Sequence, residues 1–151
     1  MKTKLLANNK KARFEYFIED TMEAGIALLG SEVKALREGK INIEDSYGVN
    51  LANELYLMNM HIGHYDKAGR MNHELKRNRK LLLHGKQINK IFGKIKRPGY
   101  SLVPLSAYFN NHNKVKIEIA IVKGKQLHDK RESLKDKEWQ REQQRIMKDK
   151  R

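Results

Sequence analysis

Val115, Ile117, Ile119 and Ile121 alternate with Lys114, Lys116 and Glu118. A period of two places every second side chain on one face of an extended strand, so this run commits its region to a sheet with one buried and one wet face. Leu102 to Phe109 form a partner run, and Asn110-Asn111-His112-Asn113 between them is turn chemistry. The two runs predict a hairpin, with Pro104 marking a strand end, edge or bulge because proline brings no N–H to the ladder. Tyr47, Val49 and Leu51, then Leu55 and Leu57, predict a second hairpin around Ala52-Asn53. Phe14, Tyr16 and Ile18 predict a strand starting at Arg13, with Met22 to Gly25 as a turn or bulge before another apolar strand, Ile26 to Leu29. About six short strands with two or three short helices predict a mainly β chain: a small closed antiparallel OB-like β-barrel.

Two helices interrupt this pattern. In the stretch GSEVKALREGKINIEDSY, Gly30 to Tyr47, Ser31 can cap a helix and Gly39 can end it. Leu29, Val33 and Leu36 share one face, while Lys34, Arg37 and Lys40 face solvent. The helix therefore reads either as a core plug carrying a cationic face or as an ordinary solvated surface helix. Asp45-Ser46-Tyr47 reads as a turn launching a strand. Ile88, Ile91, Phe92 and Ile95 form the apolar stripe of the second helix, which Pro98-Gly99 closes.

Of 151 residues, 32 are Lys or Arg and 18 Asp or Glu, a net charge of +14, which fits a polyanionic partner. There is no cysteine, so thiol and disulfide chemistry are excluded. No apolar run approaches the ~20 residues of a membrane-spanning helix, and the N-terminus lacks a signal peptide's apolar region, so a soluble, cytoplasmic protein without a membrane partner is expected. Residues 1–12 read as a flexible basic arm, 13–123 as the folded barrel, and 124–151 as a charged tail, disordered when free and helical when docked. Residues 63–80 read as a long basic loop.

No nucleotide-binding, nucleophile-elbow or zinc-protease motif is present, and no catalytic residue, cofactor or metal site is assigned. His61 and His64 lie close together without a second ligand pair and read as surface or strand-end residues. Clustered cations at 2–13, 70–80 and 123–131 can neutralise phosphates, and His84, His128 and Trp139 are flat side chains suited to stacking on unpaired bases. RNA binding is the favoured function; a general single-strand binder and a basic ribonuclease stand as alternatives.

The chain resembles the small protein B family, the SsrA-binding proteins of bacteria. The resemblance rests on Lys11-Ala12-Arg13 with Tyr16-Phe17-Ile18-Glu19, Glu23-Ala24-Gly25, the stretch 30–47, Arg79-Lys80-Leu81-Leu82-Leu83, Gly99-Tyr100 with Val103-Pro104-Leu105, Lys123-Gly124-Lys125, His128-Asp129-Lys130-Arg131, Glu138-Trp139 and Ile146-Met147-Lys148. It implies a non-enzymatic adaptor of trans-translation. Such a protein binds the tRNA-like domain of transfer-messenger RNA and delivers it, with elongation factor Tu, to stalled ribosomes. It also implies RNA contacts through Glu23 and the neighbouring Lys34, Arg37, Lys40 and Asn42, and through Leu82, Leu83 and His84, where some relatives carry Asn. Lys11, Arg13, Arg77, Arg79 and Lys80 are the flanking cations. In the tail, His128 would stack at the decoding centre of the small-subunit rRNA, and Lys125, Lys130 and Arg131 beside Asp129 would hold phosphates. Trp139, Ile146 and Met147 would anchor an induced helix in the empty mRNA channel.

Overall fold

A computed structural model describes residues 2–125 and residue 141. Nine strands and three α-helices lie among the described residues: β1 (Lys2–Asn8), α1 (Lys10–Glu15), β2 (Tyr16–Ile26), α2 (Gly30–Arg37), β3 (Ile41–Asn42), β4 (Tyr47–Leu51), β5 (Glu54–Met58), β6 (His61–Ile62), β7 (Arg79–Leu82), α3 (Gly85–Ile95), β8 (Tyr100–Asn110) and β9 (Val115–Gly124). The antiparallel pairings β8–β4–β5–β7–β2–β9 return to β8, so the strands form a ring, with β1 added to β8 and β3–β6 paired separately.

The predicted hairpins are present. Ala52 and Asn53 both take positive φ, 52° and 64°, which is the turn whose twist matches the flanking strands. Asn113 (φ 58°) closes the β8–β9 turn, and Asn110 Oδ1 accepts the amides of His112 and Lys114. Pro104 falls at a register shift between β8 and β9, the bulge its missing N–H calls for. Gly39 (φ 76°) ends α2 and donates to the carbonyl of Leu36.

The main core fills the ring with Ile26, Leu55, Leu57, Leu81, Leu102, Ile117, Ile119 and Ile121, plugged by Ala35 and Leu36 of α2 and Ile91 of α3. A second cluster, Ala12 with Val103, Leu105, Ala120 and Val122, lies where α1 covers the β8–β9 pair. Strand β9 therefore buries Ala120 and Val122 as well as its isoleucines, and the simple in–out alternation gives way at its C-terminal end.

Several expectations are corrected. Residues 2–8 are not a flexible arm: they pair with β8, and buried Asn9 fixes the corner. Its amide donates to the carbonyls of Pro104 (2.8 Å) and Ile43 (3.3 Å), while its Oδ1 accepts from Ala12 N and caps α1. The strand expected from Arg13 begins at Tyr16, because that cap starts a helix at Lys10. Met22 to Gly25 are not a turn; they pair residue for residue with β9 inside one long strand, whose irregularity falls between Ile18 and Asp20. Phe17 and Ile18 are exposed, so the buried face expected there lies further along, at Ala24 and Ile26. The basic loop carries a 3-10 segment, Asp66–Met71, and ends in β7.

Helix α2 differs most. Ser31 does not cap it. Glu32 accepts the Leu29 amide (2.7 Å), and Leu29 is exposed. The buried face of α2 is Glu32, Ala35 and Leu36, a carboxylate among apolar residues.

Candidate nucleic-acid interface

Glu32 explains Arg77, just before β7, and Arg79, the strand's first residue. Its Oε1 accepts from Arg77 Nη2 (2.6 Å), and its Oε2 accepts from Arg79 Nε (2.5 Å). Arg79 is 0% exposed and also donates to the carbonyls of Met60, Arg77 and Leu75. Burial pushes the Glu32 carboxyl up, but the Arg77 hydrogen bond, the Leu29 amide and Arg79 outweigh this and hold it below the ordinary carboxylate value. Arg79, expected to contact RNA, is instead a structural clamp: a guanidinium with no exposed surface cannot reach a phosphate. Arg77 is spent largely on the same carboxylate, with partial exposure remaining.

Beyond this clamp, Gly25 pairs with Leu82 across β2 and β7, and with Lys116 across β2 and β9. These pairings bring Glu23 alongside Leu82, Leu83 and His84. Together with Gln87 and Lys116 they line an open cleft of about 470 Å³. Alternation on β7 decides which leucines line the cleft: Leu81 is 1% exposed in the core, while Leu82 is 49% exposed. His84 stands at the N-cap of α3, its amide donating to Gln87 Oε1 (3.2 Å). Glu23 Oε2 accepts from the Tyr108 hydroxyl, which orients the carboxylate; burial, then Glu23 itself, holds the Tyr108 phenol protonated well above the ordinary tyrosine value. A carboxylate can only accept, so this one suits the N–H edge of a base or a 2′-hydroxyl and repels a phosphate. Leu82 and His84 offer an apolar edge and a flat ring for stacking.

Gln87 and Lys116 were not foreseen. The signal for Lys116 was present: it occupies an outward position in the alternation that predicted β9.

The remaining predicted residues lie apart from the cleft. Lys11 is bound by Asp45 (2.8 Å), whose hydrogen bond raises the lysine and lowers the acid. Arg13 lies 3.6 Å from Glu118. Lys80 pairs with Glu54 (3.1 Å), and Lys40 pairs with Glu38 (2.9 Å) and Asp66 (3.6 Å), each pair in reach of solvent and worth little to stability. Asn42 Oδ1 accepts the Glu44 amide in a local turn. Lys34 lies 5.5 Å from the centre of the Tyr65 ring in a separate groove of about 570 Å³, and Arg37 lines a smaller one. The Lys125 ammonium lies over the rings of Phe14 (5.6 Å) and Phe17 (5.4 Å). His128, Asp129, Lys130, Arg131, Trp139, Ile146 and Met147 lie outside the described residues.

Among the described residues no group of three or more His, Asp or Glu side chains is arranged to hold a metal ion. His64 stacks edge-on against His73 (5.8 Å), not against His61. Buried His73 faces the carbonyls of Ile62 and Gly63 with Nε2, both at 3.0 Å. That nitrogen therefore donates, and Nδ1 lies 2.8 Å from the Ser31 hydroxyl. No described helix is long and apolar enough to cross a membrane.

A family profile described as SmpB protein matches residues 6–149. The SsrA-binding proteins of Rickettsia bellii and Rickettsia canadensis are 58% and 57% identical over 147 residues, covering 97% of this chain and of each relative. The chain belongs to the SmpB family. Its members are bacterial RNA-binding proteins of trans-translation. A solved chain from the study "tmRNA-SmpB: a journey to the center of the bacterial ribosome" superposes with a TM-score of 0.70 at 39% identity, covering 87% of this chain and 95% of that one. The profile match covers the residues of the cleft and those from 126 to 149 alike.

Proposed function

We propose that this chain is a non-catalytic RNA-binding adaptor of ribosome rescue, acting in the bacterial cytoplasm. Its ring of strands, read as an OB-like barrel, grips the tRNA-like domain of transfer-messenger RNA through the cleft of Glu23, Leu82, Leu83 and His84. Lys116 on the cleft wall and the cations around it hold the phosphate backbone. The complex is delivered with elongation factor Tu to stalled ribosomes. Residues 126–151 then read whether the decoding site and mRNA channel are vacant, ordering only where the rRNA groove is open. Within that segment His128 stacks on a decoding-centre base, Lys130 and Arg131 hold phosphates, and Trp139, Ile146 and Met147 anchor the helix.

The observation that carries this reading is the convergence of Glu23 with Leu82 to His84, which are remote in sequence, on one cleft beside Lys116. An acceptor, an apolar edge, a flat ring and a cation meet there, a set suited to a structured RNA rather than to a polyanion at large. The test is competition among the tRNA-like RNA, bulk tRNA and poly(U) as salt is raised. With six or more phosphate contacts, binding of the tRNA-like RNA falls ~10³-fold or more between about 50 and 200 mM salt. A flat salt response defeats the proposal. Equal affinity for poly(U) makes the protein a general single-strand binder, and cleavage of labelled RNA with divalent metal makes it a ribonuclease.

A further inference from the structure

Most of the described carboxylates hold a cation of this chain. Glu15 and Glu44 do not: neither has a Lys or Arg within 4 Å among the described residues. Both line one small pocket of about 130 Å³, with Asp45, Ser46, Tyr16 and Tyr47. It lies where the end of α1 meets the turn before β4. Lys11 is held by Asp45 (2.8 Å). That hydrogen bond and the Asp45 charge, then the charges of Glu15 and Glu44, raise the Lys11 ammonium above its ordinary value, so all three carboxylates act on the same space. One ammonium against three carboxylates leaves the site negative.

A second feature points to a ligand. Ser46 is 3% exposed, and its hydroxyl is a buried side-chain group with no hydrogen-bond partner. Buried polar groups are otherwise almost always paired. Negative charge, an orphaned oxygen and two aromatic rings suit a flat cation with several N–H donors, which is a guanidinium. The volume is close to the roughly 150 Å³ that holds one benzene, so a single planar group fits. The carboxylates repel a phosphate, which separates this pocket from the RNA cleft. They are not arranged to hold a metal ion.

The course of the chain names the occupant. Lys125 N donates to the carbonyl of Glu15 (3.3 Å), a residue of the pocket wall. The Lys125 ammonium is engaged by the rings of Phe14 and Phe17. Arg131, outside the described residues, follows within about 20 Å of fully extended chain. We infer that in the free protein this pocket holds the Arg131 guanidinium of the chain's own C-terminal segment. Glu15 and Glu44 accept its N–H groups above the Ser46 oxygen, and Tyr47 lies against its face. The tether keeps the guanidinium at an effective concentration in the millimolar range, so weak exposed pairs suffice. A polyanion must then take Arg131 away from two carboxylates, which withholds that cation from RNA at large. The inference rests on the proposed function only in that Arg131 later serves a phosphate.

The test is limited trypsin digestion of the full chain without RNA, so its failure is distinct from failure of the proposed function. Mass spectrometry gives the ratio of cleavage after Arg131 to cleavage after Arg141, and the second site cancels differences in protease and global stability. Cleavage follows the undocked fraction when docking exchanges quickly. Glu15→Gln/Glu44→Gln keeps side-chain volume and raises the ratio roughly two- to fivefold. Raising salt from about 0.05 to 0.5 M raises the wild-type ratio similarly and leaves that of the double variant unchanged. Glu38→Gln/Glu54→Gln removes two carboxylates that pair with Lys40 and Lys80 instead, and leaves the ratio at the wild-type value. The inference is overturned if Glu15→Gln/Glu44→Gln keeps the wild-type ratio, or if Glu38→Gln/Glu54→Gln raises it as much. A ratio that changes with protein concentration assigns the pocket to the tail of a second copy and also overturns it.

Discussion

Replacing Glu32 by Gln removes one charge from a site where three groups depend on it. The carboxylate and the Arg79 guanidinium are both 0% exposed, and the amide of Leu29 and the guanidinium of Arg77 lean on the same two oxygens. Glutamine keeps the volume and one acceptor, so neither a cavity nor the loss of the helix cap contributes. The Arg79 charge is left uncompensated in the interior, with an amide N–H₂ facing a guanidinium donor. Breaking a buried pair in this way costs about 3–5 kcal/mol, a large share of the 5–15 kcal/mol typical of a domain. In a urea melt followed by far-UV circular dichroism, a slope of about 2 kcal/mol/M places the midpoint roughly 2 M lower. Glu32→Gln/Arg79→Met removes both charges and recovers most of the loss, because no orphan ion remains. The pH dependence carries a sign. The folded-state Glu32 sits below its ordinary value of 4.5, so its contribution is present above that pH and disappears as pH falls through the lower folded value. The stability curves of wild type and Glu32→Gln therefore converge on acidification. A loss under about 1 kcal/mol, or a double variant no better than the single, would refute the clamp.

Adjacent leucines on β7 separate folding from binding: Leu81→Ala costs about 2–5 kcal/mol of stability, whereas Leu82→Ala leaves the melt near wild type and weakens RNA binding. Gly48 faces Leu102 so closely that an added Cβ would lie 2.4 Å from Leu102 Cδ2, and Gly48→Ala costs about 1–3 kcal/mol in the same melt through overpacking at the β4–β8 contact. Truncation after Lys125 leaves RNA affinity near wild type and abolishes tagging of stalled products in a reconstituted translation assay. Truncation after Lys123 removes more than tail, because Gly124 N bonds Gly99 O and Lys125 N bonds Glu15 O, so it lowers the melting midpoint as well.

What could be read from residues alone followed the range over which each signal acts. The β4–β5 and β8–β9 hairpins, the end of α2 at Gly39, the α3 stripe and the bulge at Pro104 are decided within a few residues, by side-chain period and by which backbone angles a residue accepts. The misreadings occurred where a distant partner decides. Asn9 looks like a loop residue until Pro104 and Ile43 supply carbonyls for its amide, and the supposed arm then becomes a strand and a helix. Met22 to Gly25 look like a turn until β9 supplies a complete ladder.

Glu32 and Arg79 illustrate the limit most clearly. A Glu in the first turn of a helix and an Arg in a basic run are both, by default, solvent-facing residues, and the same basic run made Arg79 look like a phosphate ligand. Only the packing of α2 against β7 turns the two into a buried pair. The same packing withdraws Arg79 from any RNA surface and leaves Leu82 facing out. Because β7 alternates, burying Arg79 and Leu81 fixes the outward aim of Leu82 and, through the strand's end, the position of His84 at the start of α3. The clamp is therefore tied to the cleft: a substitution that releases Arg79 perturbs binding by loosening the strand that holds Leu82 and His84, without touching a single residue that would face RNA.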